Sequence, residues 1–294
     1  MKIPVKTLKN GFSLPVYGLG TWQMGGRMEP DYSNDAAEIA AIKAAIDRGI
    51  THIDTAELYG GGHAEELVGE AIKGYDRAKL IIATKVALGN ETYEGILKSC
   101  QGSLKRLGVS YIDLYLLHRF PGPGMPVDEA MRAMDRLVDE KLVKNVGVCN
   151  FTVNRFQKAQ ELTKNKLVCN QVHYSLEVRE AKENRIIEDV QKNDYFVVAW
   201  GPLSKGALAN APILVDMAKK YNKTPYQIAL NWLISQPNVV TIPKTTHVEH
   251  LEENLGAIGW HLSAQDMERL TKGFPNQQKV SDRVPLDYRG DIEP

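Results

Sequence analysis

Residues with chemical capacity recur along this chain at nearly constant distance, each at the end of a short apolar run. Asp54, Lys85, His118 and Asn150 are separated by 31, 33 and 32 residues. Each interval fits one buried strand, one helix and two loops, so the spacing predicts repeated strand–helix units. Eight runs of strand length can be marked, at 16–21, 51–54, 80–86, 112–118, 146–149, 167–172, 195–200 and 239–242. Several are apolar without alternation, as strands covered on both faces are.

Helical periodicity fills the gaps. Ile39, Ile42, Ala45 and Ile46 share one face, as do Leu97, Cys100, Leu104 and Leu107. The same spacing links Ala130, Ala133, Met134, Leu137 and Val138, and later Tyr226, Ala229, Leu230, Leu233 and Ile234. Thr224-Pro225 reads as an N-cap followed by proline at the first helical position. Ser263 with Asp266 resembles a weaker capping box. Alternation alone also suits a doubly wound sheet. Eight units in 294 residues, with no break in composition, favour a closed (β/α)8 barrel, which typically takes about 250 residues. The expected organisation is one domain over 1–294. An Asn-Gly hairpin over 1–14 precedes a barrel over 15–262, and a late helix with a polar tail occupies 263–294. The stretch from Thr271 reads as tail or lid.

Composition mainly excludes. Lys and Arg number 36, as do Asp and Glu, so nothing marks a strongly basic nucleic-acid binder or a polybasic membrane anchor. No apolar run approaches the roughly 18 residues of a membrane span. The first residues have no apolar core of a signal peptide. Cys100, Cys149 and Cys169 form no CxxC pair, which fits free thiols in a reducing cytoplasm. There is no P-loop, no complete GxGxxG, no HExxH and no GxSxG. His247 and His250 are three apart but nothing supplies a third ligand, so no metal site is expected.

What remains lies where a barrel does its chemistry, at the carboxyl ends of its strands. Asp54 ends the second run, Tyr59 follows it, Lys85 is near the end of the third and His118 ends the fourth. A charge inside an apolar strand costs several kcal/mol unless paired, which predicts an Asp54–Lys85 ion pair. Each residue taken alone also fits a barrel-stabilising salt bridge with a satisfied histidine nearby. As a group they suggest acid catalysis. An ammonium about 4 Å from a phenolate, at an effective dielectric near 20, is worth roughly 4 kcal/mol. That pulls a tyrosine pKa down by up to about three, and desolvation reduces the net effect. Tyr59 then donates a proton to an alkoxide, His118 orients a carbonyl oxygen, and Asp54 keeps Lys85 in place and charged.

Several segments carry a resemblance to a known family. They are Gly18-Leu19-Gly20-Thr21-Trp22, Ile53-Asp54-Thr55-Ala56-Glu57-Leu58-Tyr59, Thr84-Lys85, Leu116-Leu117-His118, Gly147-Val148-Cys149-Asn150-Phe151, Asn170-Gln171-Val172 and Ile242-Pro243-Lys244. In this order, from about residue 5 to 272, they resemble the aldo-keto reductases. Met24-Gly25-Gly26 after Trp22 is most like the bacterial aldehyde and methylglyoxal reductases of that family. The resemblance implies an NADPH-dependent barrel with Asp54, Tyr59, Lys85 and His118 as catalytic tetrad. It puts Asn150 and Gln171 on the nicotinamide carboxamide and Trp200 on the ring face, with Gly20, Thr21, Trp22 and Cys149 nearby. Gly201, Pro202, Leu203, Lys205, Gly206 and Leu208 cover the pyrophosphate. By the same resemblance Lys244, Thr245 and Asn254 would hold the adenosine 2′-phosphate and adenine, with His250 facing the phosphate, and Ile242, Pro243, Thr246 and Glu253 would be further cofactor contacts.

Three departures from the family pattern stand out. His250 occupies a place where arginine is frequent, so NADH is less excluded than in an arginine-bearing member. Arg119 and Phe120 follow the tetrad histidine where tryptophan is common. Cys149 stands where serine is frequent. Trp22, Tyr59, His118, Arg119 and Phe120 are the expected substrate contacts, and Arg119 suits a carboxylate or dicarbonyl unless it is only a solvated rim charge. The expected reaction is reduction of aldehydes or ketones, including methylglyoxal, by a cytoplasmic monomer. Two other readings remain open: a Schiff-base aldolase using Lys85 as nucleophile, and an NADP(H)-sensing module with little turnover.

Overall fold

Apolar runs without alternation need cover on both faces, and the parallel sheet provides it. The computed structural model describes residues 2–122 and 124–278. The strands are β1 (Val5–Thr7), β2 (Ser13–Pro15), β3 (Leu19–Gly20), β4 (His52–Asp54), β5 (Ile81–Val86), β6 (Ile112–Leu117), β7 (Val143–Cys149), β8 (Leu167–His173), β9 (Phe196–Trp200) and β10 (Val239–Thr241). β3 to β10 are hydrogen-bonded side by side in chain order, and every pair is parallel. A parallel bridge between Tyr17 and Thr241 joins the first strand segment to the last and closes the (β/α)8 barrel.

The first barrel strand is shorter than its sequence run. Regular pairing is confined to Leu19–Gly20 against β4, while Tyr17 makes the single bridge to Thr241 of β10. Closure is tight. A Cβ on Gly20 would lie 2.7 Å from the Ile242 carbonyl oxygen, so only glycine fits the seam. β1 and β2 form the antiparallel hairpin. Leu8 and Leu14 of this hairpin are buried against Ala83, Leu114 and Phe196, which stoppers the amino end of the barrel. Lys6 docks there by donating to the carbonyls of Ile234, Gln236 and Val239 at 2.6–2.7 Å, at the end of the helix Pro225–Ile234. Helix carboxyl ends attract cations in this way.

The helices lie where periodicity puts them, at Asp35–Asp47, Tyr93–Leu107, Val127–Asp139 and Pro225–Ile234. Thr224 and Gln227 form a full reciprocal capping box. Ser263 caps the helix Ala264–Gly273 by accepting the Asp266 N–H at 3.1 Å, but the reciprocal half is absent. The Asp266 carboxylate is taken by the Ser263 hydroxyl, Lys220 and Tyr221, and the Ser263 N–H goes to the Tyr221 hydroxyl. This helix also takes in Thr271 to Gly273, so the tail begins later than the polar composition suggests. Phe274 is buried, Gln277 donates to the Leu176 carbonyl, and the Gln278 N–H donates to the Glu177 carbonyl. The rest of the expected tail, 279–294, lies outside the described residues. Among the described residues no helix is long and apolar enough to cross a membrane, and no three metal-ligating side chains gather. The three cysteines are free and buried.

Candidate active site

Parallel strands all deliver their carboxyl ends to the same rim, and residues separated by some thirty positions therefore meet there. Asp54 is the last residue of β4, Lys85 the penultimate residue of β5, and His118 follows β6 directly. Tyr59 arrives on the turn Tyr59–Gly62. That turn holds because Gly60 adopts φ +56° beneath the Gly25 carbonyl, where a Cβ would approach to 2.1 Å.

Lys85 is wholly buried. Its ammonium donates to Asp54 Oδ1 at 2.6 Å, to the Thr55 carbonyl at 2.7 Å and to the Tyr59 hydroxyl at 3.2 Å. All three N–H donors are used. Burial is the largest single influence and pulls the Lys85 pKa down, but the opposing effects, led by Asp54, together hold the group above the ordinary lysine value. The second Asp54 oxygen accepts from Gln171 Nε2 at 2.7 Å. The expected ion pair is therefore present and fully satisfied.

Tyr59 behaves differently from the expectation. Burial raises its pKa to about 12, and the neighbouring ammonium only partly opposes this. An effective dielectric near 20 describes an ion pair close to the protein surface. The hydroxyl is instead buried, where forming an anion is expensive. Tyr59 thus stands as a phenol. Its ring makes edge contacts with Trp22 at 4.9 Å and with His118 at 5.7 Å. Burial, then Lys85 and Arg119, push the His118 pKa well below the usual histidine range, so its imidazole is neutral. Among the described residues its buried Nδ1 has no hydrogen-bond partner, unlike a satisfied structural histidine.

The residues expected around a nicotinamide also converge. Asn150, at φ +60°, donates from Nδ2 to the His118 carbonyl at 3.3 Å and accepts the Trp200 indole N–H at 3.3 Å. Cys149 is buried beside this group, and burial raises its thiol pKa well above the usual value. Other expected cofactor contacts have interior side chains. Thr21 donates its hydroxyl to the Asp54 carbonyl at 3.1 Å, and Leu208 and Ile242 belong to the core, so these three offer backbone only. Phe120 turns onto Phe151 at 5.1 Å, under the Arg155 guanidinium, while Trp22 is exposed at the rim. Arg119 is half-buried and close enough to Glu91 to influence its carboxyl.

At the far side of the rim Lys244 and His250 are exposed, and His250 meets the edge of His247 at 5.2 Å. The Thr245 hydroxyl is engaged with the His247 backbone, Asn254 is buried, and Thr246 and Glu253 are half-buried. Gly201, Pro202 and Leu203 lie on the loop after β9, which enters the turn Ser204–Asn210; Lys205 and Gly206 are on that turn. Ser204, the first residue of that turn, holds a buried hydroxyl without a partner among the described residues. An orphaned hydroxyl on the loop that follows Trp200 fits a polar cofactor group received there.

Sequence reading missed the supports behind the site. Glu65 is buried and receives Thr84 Oγ1 at 2.5 Å and Arg106 Nε at 2.7 Å. Arg106 also reaches Glu57 at 3.8 Å, and Glu57 accepts the Ala87 N–H at 2.9 Å. These contacts brace both the Tyr59 loop and the strand carrying Lys85. The signal in the sequence is the pair of acidic residues Glu65 and Glu66 in the first turn of the largely apolar helix His63–Ile72.

An eightfold barrel with titratable side chains gathered at its carboxyl mouth is the layout of a barrel enzyme. Residues 17–273 match the Aldo/keto reductase family, and the chain belongs to that family of oxidoreductases. It is 35% identical to methylglyoxal reductase YeaE of Escherichia coli, over 90% of this chain and 92% of that protein. Among solved structures it is similar to the thermostable aldo-keto reductase Tm1743 in complex with epalrestat, with TM-score 0.89, 42% identity, and coverage of 92% of this chain and 100% of the other. An aldo/keto reductase from Klebsiella pneumoniae, crystallised with NADP and acetate, has TM-score 0.83, 32% identity, and coverage of 95% and 98%.

Proposed function

We propose that the protein reduces small aldehydes and ketones, dicarbonyls such as methylglyoxal among them, with NADPH as reductant. The observation that carries this reading is the contact of the Lys85 ammonium with the Tyr59 hydroxyl at 3.2 Å, beside a neutral His118. Bound NADPH supplies the hydride, delivered to the carbonyl carbon. Trp200, Asn150 and Gln171 would hold its nicotinamide end, the loop Gly201 to Leu208 with Ser204 its pyrophosphate, and Lys244 with His250 its 2′-phosphate.

Tyr59 is the general acid. Its proton passes to the oxygen of the carbonyl as that oxygen becomes an alkoxide, a far stronger base than a phenolate. The raised pKa keeps the proton in place until then. The phenolate left behind faces Lys85, whose charge stabilises it more strongly in a buried site than in water. Asp54 positions Lys85 and holds it protonated. His118, neutral, offers a ring N–H to the substrate oxygen and aligns it with Tyr59.

The same geometry disfavours an aldolase. A Schiff-base lysine must be a free amine, whereas Lys85 is held protonated with three acceptors around it. Reduction separates from mere NADP(H) sensing by turnover. Purified protein should consume NADPH with methylglyoxal or nitrobenzaldehyde; tight NADPH binding without consumption across an aldehyde panel would support the sensor.

A further inference from the structure

β8 and β9 end in register, with His173 paired to Trp200 across the parallel ladder. Their rings stack, with centroids 4.2 Å apart and planes 24° from parallel. His173 Nε2 lies 3.2 Å from the Gly201 carbonyl, an acceptor only, so Nε2 carries the proton. Nδ1 is then the lone-pair nitrogen, and it is buried without a partner among the described residues. Burial lowers the pKa of this histidine to about 4, which keeps the ring neutral near pH 7.

The contacts fix the indole in more than one direction. His173 backs one face, and the Trp200 N–H is tied to Asn150 Oδ1 at 3.3 Å. Asn150 in turn donates to the carbonyl of His118. Gly201, held by His173, is the first residue of the loop that leads to Ser204. One imidazole therefore sets both the plane of Trp200 and the start of the loop beyond it.

We propose that His173 is a positioning residue for the cofactor, fixing the Trp200 platform and the Gly201 turn in the arrangement that receives a nicotinamide dinucleotide. This rests on the reading that the nicotinamide lies on Trp200. Removing His173 would free the indole to rotate and release the Gly201 peptide, so ordering both would fall to the binding step.

The test is calorimetric titration of NADP+ into the wild-type protein and into His173→Ala, His173→Phe, His173→Gln and Trp200→Ala, with binding stoichiometry reporting the folded fraction. A lost stack and a lost hydrogen bond together predict about a tenfold rise in Kd for His173→Ala. His173→Phe, which keeps the stack, and His173→Gln, which keeps a donor, should each recover part of the loss. In steady state His173→Ala should raise the KM for NADPH while kcat at saturating cofactor stays within about twofold, the pattern of lost uniform binding. A wild-type Kd in His173→Ala, with Trp200→Ala weakened, would overturn the role of His173 alone. Wild-type affinity in Trp200→Ala as well would overturn the platform itself.

Discussion

The Lys85 ammonium and the Tyr59 hydroxyl face each other at 3.2 Å inside a barrel mouth where Lys85 is fully buried. The lysine does not make the tyrosine acidic at rest, since burial holds the phenol pKa near 12. Its charge becomes valuable only when the phenol has given up its proton. The interaction is thus weighted toward the transition state, which is where binding energy accelerates a reaction.

Asp54 and Lys85 are a buried pair, and breaking it from one side should be costly. Lys85→Met leaves the Asp54 carboxylate with only Gln171 as partner, so unfolding free energy should fall by about 3–5 kcal/mol in denaturant titrations. The double variant Asp54→Asn/Lys85→Met removes the stranded charge and should recover much of that stability while remaining inactive. A double variant no more stable than Lys85→Met would contradict the charge-burial account.

His63 predicts a pH-dependent stability. Its ring nitrogens lie 2.8 Å from Glu66 and 2.8 Å from Asp35, bridging two helices. Burial lowers its pKa, and the hydrogen bonds to Glu66 and Asp35 more than offset this, so the folded value lies above the ordinary one. The stabilisation is fully present below the unfolded pKa of about 6.5 and is lost as pH rises through the folded value. Wild-type Tm should therefore fall relative to His63→Gln as pH is raised from below that unfolded value into the alkaline range. A Tm difference independent of pH would remove His63⁺ as the cause.

His250 is exposed, and an imidazole grips a phosphate less firmly than the bidentate fork of a guanidinium. His250→Arg should lower the KM for NADPH about tenfold, the worth of one charge-assisted hydrogen bond, and leave NADH nearly unchanged. Equal effects on both cofactors would mean that this residue does not meet the 2′-phosphate.

Much of this was legible because strand ends carry a double constraint. Asp54, Lys85 and His118 had to be tolerated inside apolar runs, and the repeat of some thirty residues brings them to one rim. The supports were not legible. The His173–Trp200 stack depends on the register of two strands, and the Glu65–Arg106–Thr84 contacts depend on how a helix lies across a strand. Neither follows from periodicity. The direction of the Tyr59 pKa also escaped, because pairing and burial act oppositely and only the depth of the hydroxyl decides between them. The reciprocal half of the Ser263 cap was lost to competitors from a distant helix, Lys220 and Tyr221.

The most direct test is Tyr59→Phe, assayed for NADPH-dependent reduction of methylglyoxal with NADP+ affinity measured on the same preparation. Removing a general acid should lower kcat by about 10²–10⁴-fold, while cofactor Kd stays near wild type because the hydroxyl is spent on Lys85. A variant that binds NADP+ normally and still turns over at the wild-type rate would contradict proton donation by Tyr59.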